Sequence, residues 1–242
     1  MRERDGAMTE RKVRIGIIVV SVNTVLEPEL SRIVPEGVEL HFTRARMRSG
    51  DPEELARMEA EGPEAAERLA DAGVDVIAFA CTAASLYRGP GQDKEIVSRI
   101  EARTGTRAVA TSGAVLKAFD ALGMRKIGLG TPYTDQVNQM EERFFSGSGV
   151  EVLRMKGLGC TGGEMALIPP EEVRRTALDV NSGECDGIFL SCTNWRTLEL
   201  IEALEAELGK PVTSSNQATL WAALRTAGVK DPLPGLGSLL RR

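Results

Sequence analysis

A single histidine, His41, stands in a chain of 242 residues, and that shortage excludes more than any other. Without a second imidazole there is no Ser-His-Asp or Cys-His base elsewhere, and most zinc sites lose their usual ligands. His41 itself lies in the alternating stretch Val38-Glu-Leu-His-Phe-Thr, which reads as a strand. Acid and base work must therefore fall to cysteine, carboxylate, lysine or tyrosine. The four cysteines, at 81, 160, 185 and 192, form no C-x-x-C pair. They are expected to be free thiols in a reducing compartment rather than a disulfide or zinc framework.

Other absences narrow the class. No run approaches the roughly 20 apolar residues of a membrane span, and the charged segment from Arg2 to Arg14 lacks the apolar centre of a signal peptide. A cytoplasmic protein with no membrane partner is expected. The formal net charge of -5 argues against nucleic acid as a partner, which a basic surface would announce. Neither Gly89-Pro-Gly91 nor the stretch from Gly157 to Gly163 has the spacing of a nucleotide-binding fingerprint. Met8 is an alternative start, which would leave Met1 to Ala7 as a disordered extension.

What is present is a regular alternation of short apolar runs and helical stripes. Val13 to Val20 reads as a strand buried on both faces, followed by a helix opening near Glu27-Pro28 and a strand at Val38 to Thr43. Pro52 to Ala72 has helical spacing interrupted by Gly62-Pro63. The pattern continues through strands at Asp75, Arg107, Lys126, Val150, Gly187 and Pro211, each followed by a helix; the tail around Leu236 reads as a surface segment.

Two stretches are near copies: DVIAFACTAA from Asp75 and DGIFLSCTNW from Asp186. Each places a Cys-Thr pair at the carboxyl end of a strand, where a helix is expected to start. Backbone N–H groups and the helix dipole at such a point favour thiolate and draw a cysteine pKa down from about 8.5. They also suit a substrate carboxylate. A lone cysteine is more often a small core residue; two placed alike are a candidate pair.

The fold class expected is α/β: two pseudo-symmetric Rossmann-like halves with short parallel sheets and an interdomain active-site cleft. The boundaries read as 1–12, a disordered or extended N-terminus; 13–110 and 111–215, the two halves; and 216–242, a C-terminal helix and tail that could pack back on the first half.

These residues resemble the aspartate/glutamate racemase superfamily, most closely its maleate cis-trans isomerase and arylmalonate decarboxylase branch. The resemblance covers nearly the whole chain. It is strongest in Gly16 to Asn23, Cys81 to Gly89, Thr131-Pro-Tyr-Thr-Asp-Gln-Val-Asn138, Ser191 to Thr197, and Ser214 to Trp221. It implies a cofactor-independent isomerase with no metal, acting on a small carboxylic acid, with Cys81 as nucleophile or base and Cys192 as the facing acid. Asn23, Thr82, Ala83, Tyr133 and Thr193 are the implied substrate-binding residues, and a homodimer is compatible with it.

Alternatives stay open: an aspartate/glutamate-type racemase, an arylmalonate decarboxylase-like enzyme, or a non-catalytic binding protein for small acids. Both thiols favour isomerase or racemase, since the decarboxylases usually lack the first. Gly163 stands where the isomerases often carry asparagine, which bears on the substrate. From the residues alone, Asn23 reads either as a carboxylate donor or as an Asx turn, Asn216 as a cap of the last helix, and Cys185 as structural.

Overall fold

Val13–Val20 (β1) is apolar on both faces, and the chain buries it on both by pairing it in parallel with Val38–Ala45 (β2) and Val76–Ala80 (β3). Arg107–Ala110 (β4) completes a four-stranded sheet in the order β2-β1-β3-β4. Lys126–Thr131 (β5), Glu151–Gly157 (β6), Gly187–Leu190 (β7) and Val212–Ser214 (β8) form a second in the order β6-β5-β7-β8. In each, the first strand of the half sits between the second and third, and all pairs are parallel. The two halves therefore share one topology. This computed structural model describes residues 12–242. Up to residue 11, the segment expected to be disordered or extended lies outside the described residues.

The helices are Leu26–Ile33 (α1), Pro52–Asp71 (α2), Gln92–Thr104 (α3), Thr111–Leu122 (α4), Asp135–Gly147 (α5), Pro170–Asp179 (α6), Leu198–Leu208 (α7) and Ser215–Ala227 (α8). Gly62-Pro63 does not interrupt α2, which runs straight through. Gly62 instead allows close packing: a Cβ there would lie 3.0 Å from the Phe79 ring. The two halves are joined where α4 packs against α8, and α8 also lies on β3 and β4 of the first sheet. Phe119 of α4 meets Phe189 of β7 edge to face at 5.3 Å, and Phe145 joins both rings at 5.5 and 5.6 Å. The pair α4 and α8 thus packs on the first sheet, while the Phe119 ring reaches Phe189 of the second, and this apolar packing ties the two sheets together.

The tail is not merely a surface segment. Leu239 and Leu240 are buried, and Ser238 Oγ donates to Glu205 Oε1 at 2.5 Å. Among the described residues no helix is long and apolar enough to cross a membrane.

Candidate active site

Cys81 lies one residue beyond β3, and Cys192 two residues beyond β7, the matching strand of the other half. Both thiols line one small cavity of about 40 Å³. Ala83, Tyr133, Thr193 and Asn194 line it with them, and Val20, Val22, Met47, Val137 and Met165 give it a largely apolar wall. Asn23 and Thr82 do not line it.

The two thiol turns differ from the expected helix starts. Cys81 is followed by a single 3₁₀ turn, Ala83–Ser85, and Cys192 by a loop that reaches α7 only at Leu198. What remains near the sulfurs is backbone N–H: Ala84 donates to Cys81 Sγ at 3.4 Å and Asn194 to Cys192 Sγ at 3.2 Å. The expected fall in thiol pKa does not occur. Burial pushes both Cys81 and Cys192 up to about 12, overcoming those N–H groups and the Tyr133 hydroxyl that favours the Cys192 anion. A negative charge on Cys81 raises Cys192 further. Once one sulfur is charged, the other holds its proton.

Cys192 is also the one non-glycine among the described residues with positive φ, at 149°. A Cβ in this region is strained by about 1–3 kcal/mol and persists where the surroundings force it. One such force is Ser215, whose Oγ accepts the Cys192 N–H at 3.1 Å.

Tyr133 is held by its own turn. Thr131 Oγ1 accepts the Tyr133 N–H at 3.1 Å and donates to Asn138 Oδ1 at 2.5 Å, while Asn138 Nδ2 donates to the Tyr133 carbonyl at 3.3 Å. This arrangement requires Gly157, where a Cβ would fall 2.0 Å from Asn138 Nδ2.

Asn23 and Thr82 bridge the halves behind the cavity. Asn23 Oδ1 accepts from the N–H groups of Val25 and Leu26, both at 2.9 Å, and its Nδ2 donates to Thr193 Oγ1 at 3.1 Å. The Asx-turn reading of this residue therefore holds for its oxygen. Thr82 Oγ1 donates to Ser215 Oγ at 2.8 Å. Asn216 is not the cap of α8: Ser214 is, and Asn216 Nδ2 donates instead to Glu29 Oε2 at 2.7 Å.

The remaining candidates lie away from the thiols. Cys185 is buried against Ser182 and Val180, Cys160 is half-buried beside Leu158, and His41 lies on β2 near Glu39. Among the described residues nothing lies within 4 Å of a Cβ built at Gly163, and its neighbour Gly162 lines the cavity. Among the described residues no three His, Cys, Asp or Glu side chains are grouped to hold a metal ion.

Sequence reading missed Glu141. It is fully buried on α5, accepts a hydrogen bond from Ser191 Oγ, and burial lifts its pKa to about 8. A signal existed: Val137, Met140, Glu141 and Phe144 share one buried helical stripe, in which a carboxylate is the exception.

The family model described as arylmalonate decarboxylase matches residues 15–240. A maleate isomerase of Nocardia farcinica is 31% identical over 240 residues, covering 95% of this chain and 96% of its own. An arylmalonate decarboxylase of Bordetella bronchiseptica is 32% identical over 232 residues, covering 93% and 95%. Among solved structures, a cysteine-to-serine mutant of the Nocardia farcinica maleate cis-trans isomerase, with a covalently bound succinylcysteine intermediate, is similar with a TM-score of 0.90. It is 29% identical and covers 95% of this chain and 98% of its own.

Proposed function

Because this chain belongs to the arylmalonate decarboxylase family, we propose that it works as that family's two-thiol members do, as a cofactor-independent cis-trans isomerase of maleate or a closely related small acid. It is an isomerase of the maleate isomerase kind, using cysteine chemistry. The observation that carries the reading is the convergence of Cys81 and Cys192, from equivalent strands of the two halves, on one cavity.

The chemistry follows from the two sulfurs. Cys81 thiolate adds to one alkene carbon, forming a C–S bond as the π pair shifts toward the carboxylate on the neighbouring carbon. Cys192 gives its proton to that neighbouring carbon, leaving a thioether of succinate. The former double bond is now single and rotates. Cys192 thiolate then removes a proton from the same carbon, the C–S bond breaks, and Cys81 leaves as thiolate with the trans alkene restored. No electrons are gained or lost overall.

Burial works against the anion of each thiol, and the N–H groups of Ala84 at Cys81 and Asn194 at Cys192, with the Tyr133 hydroxyl, work for it. Tyr133 and Thr193 line the cavity where one carboxylate would sit.

Proton NMR of the protein with maleate tests this, with peptide mass spectrometry of a Cys192→Ser variant. Fumarate formation and an adduct of one maleic acid on Cys81 are expected; no turnover and no adduct with maleate or methylmaleate would defeat the reading. A second reading, decarboxylation of a malonate-like acid with Cys192 as proton donor, is favoured by the apolar wall of Val20, Val22, Met47, Val137 and Met165. A Cys81→Ala variant that released carbon dioxide from an arylmalonate at full rate would support it.

A further inference from the structure

The buried carboxyl behind the second thiol has no place in the mechanism above. Glu141 is wholly enclosed; its Oε1 accepts from Ser191 Oγ, and its Oε2 has no hydrogen-bond partner among the described residues. Ser191 is the residue immediately before Cys192, at the corner where the backbone adopts its strained conformation.

We propose that Glu141 is a positioning residue for Cys192: an uncharged carboxyl that holds Ser191 from behind, and whose negative form would oppose the charge Cys192 sulfur develops as it gives up its proton. The role rests on Cys192 acting as the acid.

Among the described residues no counter-charge faces the carboxyl. On α5 its neighbours Glu142 and Arg143 are exposed. On β6, which packs against the same helix, Lys156 is paired with Asp179 and Glu172, and Arg154 Nη1 donates to the Asn181 carbonyl. The 3₁₀ turn Ala83–Ser85, also against α5, carries no charge. Cys192 and Tyr133 feel Glu141, whose charge disfavours the anion of each. Burial raises the Glu141 pKa to about 8, with only the Ser191 hydrogen bond acting in the other direction. The group is therefore mostly uncharged at neutral pH and takes its charge as pH rises through about 8.

The test compares wild type with Glu141→Gln, a neutral isostere, and Glu141→Ala, by pH profiles of kcat and KM on maleate. In wild type, kcat is expected to fall as pH rises through about 8, from the ionisation of Glu141. Glu141→Gln should lose that alkaline fall and restore most of the kcat that Glu141→Ala loses at neutral pH, with KM little changed. A readout independent of turnover is the iodoacetamide alkylation rate of Cys192. It should be several-fold faster in Glu141→Gln than in wild type at about pH 9, and equal below about pH 6.

Wild-type and Glu141→Gln curves that superimpose in alkylation would overturn the proposal. If no substrate turns over but alkylation differs as expected, the isomerase reading fails and the linkage of Glu141 to Cys192 stands. If Glu141→Gln does not fold, Ser191→Ala decides: loss of the one bond that favours the anion should move the alkaline midpoint upward, and an unmoved midpoint in both readouts counts against it. Infrared spectroscopy of a Glu29→Gln variant, which removes the other carboxyl whose pKa burial raises to about 7, should show a protonated carboxyl band at neutral pH that disappears at alkaline pH; its absence would also overturn the proposal.

Discussion

Thr82 Oγ1 donates to Ser215 Oγ at 2.8 Å, and the same serine oxygen accepts the backbone N–H of Cys192 at 3.1 Å. One hydroxyl from the start of α8 thus ties the turn after the first thiol to the turn of the second. Ser215→Ala would leave the buried Cys192 N–H and the Thr82 hydroxyl without this partner, at a cost of about 1–3 kcal/mol. Since the loss falls on the geometry of both sulfurs, kcat on maleate should drop roughly tenfold or more with a smaller change in KM. Steady-state kinetics beside a thermal melt checks this, and an unchanged kcat would show that Ser215 does not set the thiol positions.

The paired Cys-Thr segments could be read in the chain because an apolar strand ending in a thiol is a local pattern, and a parallel sheet places each strand end at the same edge. Ser215 could not, since its importance arises from a contact across 133 residues with Thr82. The acidity of the thiols was misread for a similar reason. A helix N-terminus was expected to draw Cys192 down, but the chain forms a loop there, and burial from both halves dominates. Tyr133 was legible as a candidate; the Thr131, Asn138 and Gly157 set that holds it depends on β6 lying beside β5.

Cys192 has φ of 149°, where glycine is at ease and a Cβ is not. Cys192→Gly should therefore be more stable than Cys192→Ala, reversing the usual order of these residues. Relief of about 1–3 kcal/mol of strain outweighs the 0.5–1 kcal/mol that glycine loses through chain entropy. The difference should appear as a melting temperature roughly 2–4 °C higher for each kcal/mol gained in a chain of this size. Both variants should lack isomerase activity. A melt in which alanine is the more stable would show the strain to be absent in solution.

Gly163 offers a direct test of how a second carboxylate is held. A side chain built there meets nothing within 4 Å and the backbone has no positive φ, so Gly163→Asn should fold with a stability change of about 0.5 kcal/mol or less. The added amide stands beside Gly162, which lines the cavity. A hydrogen bond to a charged group contributes about 1.5–3 kcal/mol, so KM for maleate should fall roughly tenfold or more. A monoacid such as a cis-2-enoate should show no such gain. Equal KM values before and after substitution would mean that position 163 does not contact the diacid.

Glu29 gives the pH dependence of stability a defined sign. From α1 it accepts the N–H groups of Thr197 and Leu198 at 3.0 and 3.3 Å and the Asn216 amide at 2.7 Å, joining the first half to the starts of α7 and α8. Burial raises its pKa to about 7, against the hydrogen bonds that lower it. The folded value lies above the ordinary 4.5, so the stability this group contributes is complete below about 4.5 and is lost as pH rises through 7. Glu29→Gln removes that titration. The substitution can be accommodated because Asn216 Oδ1 is buried with no partner among the described residues. A rotated Asn216 amide would present this oxygen to the new donor. Urea midpoints measured between about pH 5 and 8 should therefore fall more steeply with pH in wild type than in Glu29→Gln. Parallel curves would show that Glu29 stays charged throughout, and a steeper fall in the variant would reverse the assigned sign.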